Sequence, residues 1–403
     1  MKILIAHNRY RSAQPSGENA VVDDEARLLA AHGCEVELVQ THSDEIAGWP
    51  VRKKAALPIR TVWSSEGRRV VADAIERFGP DVVHVHNTFP LLSPTALRAA
   101  RTSGAAVVAT LHNFRPLCAG ATFTRDGKVC TSCLGHGPLQ SVAHGCYRGS
   151  RLATLPLAAM ISVHRLAGTW RNSVDRYVLP SEFARSLYVE AGWAPERLVV
   201  KANTAPEPGV VRTGPGRGFV ALSRFSHEKG LDTLLDAWRR ADIDEPLTLI
   251  GAGDLEDELR TRARDLRTVQ FTGQLPPREA LERLVTARAL VVPSRWFEVF
   301  PRTVVEAYAL GVPVVASRLG SLADVVQDGV TGLHFEPESP DALAASLRRL
   351  ASADAFTAQL GRQARRRYED ELAPWPTTRR LLAIYGEALA QAASSAALEA
   401  AWA

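Results

Sequence analysis

Residues 289–317 read ALVVPSRWFEVFPRTVVEAYALGVPVVAS. Ala289–Pro293 and Pro313–Ser317 are apolar runs of strand length, and between them lie a polar loop and a helix that starts near Arg302. A strand, a loop, a helix and a second apolar strand make a βαβ unit, which joins parallel strands buried on both faces.

The same alternation runs outward from this unit. Phe219–Ser223, Leu247–Gly251 and Val269–Thr272 precede it as strands with helices between them. The N-terminal half repeats the pattern with Lys2–His7, Glu35–Gln40, Asp81–His86, Ala105–His112, Arg176–Leu179 and Leu198–Lys201. Helical spacing covers Ala20–Ala31, which stops at Gly33, and a further helix lies around Thr95–Thr102. Asn203–Gly218 (NTAPEPGVVRTGPGRG) is rich in Pro and Gly, as an interdomain linker is. A chain of 403 residues exceeds what one hydrophobic core supports. The expectation is an α/β protein with two Rossmann-like, doubly wound parallel-sheet domains, residues 1–205 and 206–374. Residues 375–403 follow the break at Pro374-Trp375-Pro376 as a closing helix, from about Thr377 to Ala392. Ligands of open α/β sheets bind at the carboxyl ends of the strands, which makes a cleft between the facing domains the expected site.

The composition, 46% hydrophobic and 23% charged, is that of a soluble globular protein. No apolar run reaches the roughly 20 residues of a membrane helix, and MKILIAHNRY lacks the long apolar stretch of a signal peptide. A cytoplasmic protein is expected. Residues 1–205 carry 24 Lys and Arg against 17 Asp and Glu, the remainder 24 against 27. That excess is too small and too scattered for a nucleic-acid partner.

The stretch SRWFEVFPRTVVEAYALGVP (294–313) resembles the retaining glycosyltransferase family 4, whose C-terminal domain carries two glutamates with seven residues between them. Glu298 and Glu306 match that spacing. The resemblance implies that Glu298 contacts hydroxyls of the transferred sugar and that Glu306 holds the ribose of the nucleotide, with Phe300, Arg302 and Thr303 around the donor. A carboxylate accepts two hydroxyl hydrogen bonds at once, and a helix N-terminus between the glutamates can face a diphosphate. The family commonly has glycine where this chain has Val299 and Pro301, and Pro301 brings no N–H. In LSRFSHEKGL (222–231), Arg224 and Lys229 match the family's diphosphate-binding Arg and Lys. Fixed cations there lower the barrier to departure of an anionic leaving group. The family's glycine-rich loop falls at Pro15-Ser16-Gly17-Glu18, and its sugar-contacting histidine at His112, which ends a strand. Asn203 aligns with an asparagine at the domain junction. His84, His86 and Asn87 end another strand and are assigned to the acceptor side. The resemblance implies the GT-B fold, with the closing helix crossing back to the N-terminal domain, and a nucleotide diphosphate-sugar as co-substrate. It also implies retention of configuration, no catalytic divalent metal, and a glycan, lipid-linked or small-molecule acceptor.

Cys118, Cys130, Cys133 and Cys146 fall within a loop-like segment at about 115–150 that resembles an insertion found in a bacterial subset of the family. Their spacing suits a structural zinc with four thiolates, His136 or His144 replacing one, and free thiols are the alternative. Gly251-Ala252-Gly253-Asp254 lacks the third glycine of a dinucleotide fingerprint, and Asp242-Ile243-Asp244 reads as a solvated turn. Residues 49–69 interleave tryptophan with Lys and Arg, which fits either an anionic membrane surface at the inner face or a solvated helix. Competing functions are a nucleotide-sugar 2-epimerase or glycan phosphorylase on the same fold, and an inactive zinc-stapled scaffold.

Overall fold

The structure, a computed structural model, describes residues 1–12 and 17–402, with side chains described as far as Ser394. It divides into two compact units. The first takes residues 1–125, 130–201 and 378 onward, and the second Asp126–Val129 and Ala202–Thr377.

The strands in chain order are β1 (Lys2–Arg9), β2 (Glu35–His42), β3 (Val82–Val85), β4 (Ala106–Thr110), β5 (Thr124–Arg125), β6 (Lys128–Val129), β7 (Arg176–Leu179) and β8 (Leu198–Val200). The sheet of the first unit runs β2-β1-β3-β4-β7-β8, and all its pairings are parallel. β5 and β6 form a small separate ribbon. Ile3–Ala6, Val82, Val83, Val107 and Val108 are buried, because helices cover both faces of a parallel sheet. Gly33, at φ 81°, follows the helix Gly17–Ala31 in the left-handed conformation that glycine adopts without strain.

The second unit holds β9 (Phe219–Leu222), β10 (Leu247–Ile250), β11 (Val269–Gly273), β12 (Ala289–Val292), β13 (Val314–Ser317) and β14 (Gly332–Phe335). Its order is β11-β10-β9-β12-β13-β14, again all parallel, with an apolar core on each face. In the helix Leu231–Ala241, Leu231, Leu234, Leu235, Trp238 and Ala241 recur at intervals of three and four and form the buried stripe.

The chain's last segment differs from its sequence reading. The helix begins at Pro374 and extends to Trp402, after a π-helical turn at Tyr368–Leu372. Pro374 and Pro376 therefore open this helix, where the missing N–H groups have no intrahelical partner to lose. Leu381, Ile384, Tyr385 and Ala388 are buried in the core of the first unit beside Ile3, Val22 and Val108.

Residues 49–69 form the short helices Val51–Ala55 and Leu57–Val62 and enter Ser65–Phe78. Lys53 and Arg60 lie over the Trp49 ring at 4.3 and 5.1 Å and both pair with Glu66. Trp63 stacks on His164 with centroids 5.3 Å apart. These basic and aromatic groups largely satisfy one another. Among the described residues no helix is long and apolar enough to cross a membrane.

Candidate active site

In the second unit the strand order reverses between β9 and β12, and ligands of doubly wound sheets bind outside the carboxyl ends at such a switch point. Lys229 follows β9 and Glu298 follows β12. Their loops touch through backbone, the Arg295 N–H donating to the Glu228 carbonyl at 2.9 Å. Gly230 permits this approach: it sits at φ 65°, and a Cβ there would lie 2.0 Å from the Pro293 carbonyl oxygen. Arg295 clamps the junction from beneath by donating to Asp232 at 2.7 Å and to Thr233 at 2.6 Å.

With the loops joined, Lys229 Nζ donates to Glu298 Oε1 at 2.6 Å, and Ser294 Oγ donates to the same oxygen at 2.7 Å. Ser321 Oγ holds the Glu298 carbonyl at 2.6 Å. Burial pushes the Glu298 carboxyl up, but the Lys229 charge and these hydrogen bonds outweigh it, leaving the group below its ordinary value. The site therefore holds a fixed carboxylate and a fixed ammonium side by side. Arg224, on the same loop as Lys229, is exposed. Glu306 lies half-buried on the helix Arg302–Ala309 and accepts from Arg302 Nε at 3.2 Å. Thr303 is half-buried in that helix's first turn, Pro301 caps it without an N–H, and Phe300 packs on the core below. Asn203 is buried in this unit.

Gly251 and Gly253 have a packing role. A Cβ on either would come within 1.9 or 2.4 Å of the backbone of Ser223 or Phe225, so they let β10's loop lie against the loop carrying Arg224. Asp242, at φ 49°, caps the helix Leu231–Ala241 as the expected turn.

In the first unit His112 follows β4 and borders a cavity of about 50 Å³, large enough for a few waters. Glu18, His86, Asn87, Asn113 and Arg115 also line it. Burial raises the Glu18 carboxyl to about 7, and Tyr10 Oη donates to it at 3.1 Å. Gly17 is exposed at the first position of its helix, so Gly17 and Glu18 belong to that helix and not to the loop before it. Pro15 and Ser16 lie outside the described residues.

The three acceptor-side candidates sit deeper than a cleft rim. His84 is 0% exposed, with its ring nitrogens 2.7 Å from Tyr385 Oη and 2.7 Å from Thr110 Oγ1, which leaves no atom for a ligand. Asn87 secures backbone, donating to the Asn8 and Phe89 carbonyls and accepting from the Phe89 N–H. His86 is buried against His112, Nδ1 to Nε2 at 2.8 Å. Sequence reasoning missed two charged partners of this cluster, Glu25 and Lys201, which form a buried ion pair. Glu25 was open to notice: it falls on the buried stripe Val21, Val22, Glu25, Ala26, Leu28, Leu29 of its helix.

Glu25, His84 and His86 each place a metal-capable atom within 4.8 Å of the others, the one such group among the described residues. The Lys201 ammonium already engages Glu25 and both His84 nitrogens are bonded, so His84 has no nitrogen left for a metal. The four cysteines gather without closing as tightly. The Cys118 and Cys133 thiols share a hydrogen bond that lowers Cys118 to about 6 and pushes Cys133 up. Cys130 and Cys146 are near enough for their charges to act on Cys133. A thiol that ionises this readily suits a zinc ligand.

Two doubly wound parallel-sheet units in one chain match the GT-B fold. A family model described as Glycosyl transferases group 1 matches residues 214–367, and one described as Glycosyltransferase Family 4 matches residues 15–204. The chain belongs to glycosyltransferase family 4. Glycogen synthase of Mycobacterium tuberculosis (strain ATCC 25618 / H37Rv) is 34% identical over 172 residues, and the match spans only 41% of that protein's length and 41% of this chain. Sucrose-phosphate synthase from Thermosynechococcus elongatus shares the fold with a TM-score of 0.69 at 17% identity, covering 97% of this chain and 99% of that one. Anabaena HepE in complex with UDP does so with a TM-score of 0.63 at 18% identity, covering 95% and 98%.

Proposed function

We propose that the chain moves a sugar from a nucleotide diphosphate-sugar onto a hydroxyl of a glycan, lipid-linked or small-molecule acceptor, with retention at the anomeric carbon. The observation that carries this reading is the Lys229–Glu298 pair, a cation and a carboxylate held together at the carboxyl ends of β9 and β12. Lys229 and the exposed Arg224 neutralise a diphosphate as its bond to the sugar breaks, and act most strongly where charge develops. Glu298 accepts from hydroxyls of the transferred sugar, and Glu306 from the ribose. The C1–O bond to the diphosphate breaks and the C1–O bond to the acceptor forms on the same face. The acceptor's proton passes to the departing phosphate oxygen, so no protein nucleophile is required. That HepE is seen with UDP supports a nucleoside diphosphate at this site.

A groove of about 910 Å³ in the first unit supports the acceptor side of the proposal. It shares Pro116, Trp170 and Tyr177 with the His112 cavity and adds Trp193, Arg171 and Arg197. Flat aromatic faces suit sugar rings, and guanidinium groups suit phosphate or carboxylate substituents.

The test is a thermal-shift panel of UDP, GDP, ADP and dTDP on wild type and Lys229→Ala. A ligand that binds only the folded state raises the melting temperature by mass action. One nucleotide is expected to stabilise the wild type and not the variant. No response to any of the four would overturn the donor site.

A further inference from the structure

A chain of charge and imidazole runs through the first unit to His112. Lys201 Nζ donates to Glu25 Oε1. Glu25 Oε2 stands 3.6 Å from His86 Nε2, and His86 Nδ1 meets His112 Nε2 at 2.8 Å. Lys201, Glu25 and His86 are 4, 4 and 7% exposed. Glu25 Oε2 and His86 Nε2 are both buried and lack any hydrogen-bond partner among the described residues, so each has only the other to turn to. Burying a carboxylate oxygen and a ring nitrogen without satisfying them is costly. A proton on His86 Nε2 offsets that cost, because it faces the carboxylate, and the gap is within reach of a small side-chain adjustment.

The consequence passes down the chain. With its proton on Nε2, His86 offers Nδ1 as an acceptor. His112 must then donate from Nε2, and its own Nδ1 carries a lone pair. That nitrogen has no partner among the described residues, and His112 borders the 50 Å³ cavity. The surroundings do not compete for these protons: His84 turns its nitrogens to Tyr385 and Thr110, and His7 turns Nε2 to Asn19 at 2.9 Å. Burial first, and the charges of neighbouring groups next, drive His86 and His112 well below 6.5. Both rings are neutral at neutral pH, and the choice of tautomer is what remains to be made.

We propose that Glu25, held by Lys201, is a positioning residue that sets the tautomers of His86 and His112 and makes His112 Nδ1 a hydrogen-bond acceptor toward the ligand. The ligand group it selects is one that brings a proton, a hydroxyl, and not a bare carbonyl or phosphate oxygen. Naming that hydroxyl as one of the donor sugar rests on the function proposed above; the tautomer assignment does not.

The experiment is therefore made without ligand. The full-length chain is labelled with 15N in its imidazole rings and the tautomers are read from long-range nitrogen–proton correlations at neutral pH, with His86→Gln and His112→Gln assigning the signals. Both rings are expected as the Nε2–H form, favoured by about tenfold, as a hydrogen bond to a charged group would give. An Nδ1–H or doubly protonated His112 would overturn the proposal. The second variant is the double exchange Glu25→Leu with Lys201→Met, which removes both buried charges together and spares the fold an orphaned one. Its His112 preference is expected to fall toward unity. Retention of the full preference would overturn the role of Glu25, whereas a chain with the expected tautomers and no transferase activity would count against the proposed function alone.

Discussion

Lys229 and Glu298 offer the most direct test of the site, because each is the other's charged partner. At 2.6 Å their attraction is about 6 kcal/mol gross for an effective dielectric of about 20. Their side chains are only 19 and 11% exposed, so desolvation takes back most of it. A net coupling of about 2 kcal/mol remains, in line with other hydrogen bonds to charged groups. Lys229→Met leaves the Glu298 carboxylate buried with Ser294 as its main support and should destabilise the second unit by about 3 kcal/mol at pH 7. Glu298→Gln keeps the shape and an acceptor and should cost less. The double variant should recover much of the loss. Chemical denaturation of the four proteins gives the cycle directly. The destabilisation of Lys229→Met should also shrink as pH falls, since the orphaned carboxyl then takes up a proton. Additive single losses, with a coupling below about 0.5 kcal/mol, would refute the reasoning.

Gly230→Ala should destabilise by about 2 kcal/mol or more, since left-handed backbone alone costs about 1–2 kcal/mol and the new Cβ meets the Pro293 carbonyl; wild-type stability by denaturant titration would contradict it. Acid should weaken the first unit. Burial holds His7 and His84 at about 4, so their contribution is present above 6.5 and is lost as pH falls from 6.5 through 4, at up to about 1.4 kcal/mol per pH unit for each. Glu18, raised to about 7, works the other way over 4.5 to 7 but is one group against several. Denaturation at pH 7, 6 and 5 should show a steep loss that His84→Gln makes shallower, and a flat profile would exclude the scheme. Elemental analysis should find about one zinc per chain, and Cys133→Ser should lose it and lower the melting temperature; metal-free wild type would leave the cysteines as free thiols.

All but one of the strands of the two sheets were legible, because buried parallel strands are short apolar runs, as in Ala289–Val292. β14 escaped notice because it is short and opens on Gly332, whose missing side chain makes room for the Val314 carbonyl 1.9 Å from where a Cβ would stand. The prolines at 374 and 376 read as a break because proline ends a helix interior, while its fitness for a first turn depends on where the turn starts. Glu298 and Lys229 could be picked out singly by spacing. Their contact could not, since it joins loops 69 residues apart and depends on Gly230. His84 looked like a rim residue because it precedes the end of a strand, and only the closing helix, which brings Tyr385 to its Nδ1, shows that it is walled in.

That helix has a consequence for synthesis. The first unit's core is assembled from segments far apart in the chain: Leu381, Ile384, Tyr385 and Ala388 complete the apolar layer begun by Ile3 and Ile5. A ribosome adding about 5–20 residues per second reaches these positions only after the whole second unit has been translated. Until then the nascent first unit carries an uncovered apolar face and an unsatisfied His84 Nδ1. Residues 202–377 are made before the helix that covers the first unit, and that unit's apolar face must be guarded until the helix arrives.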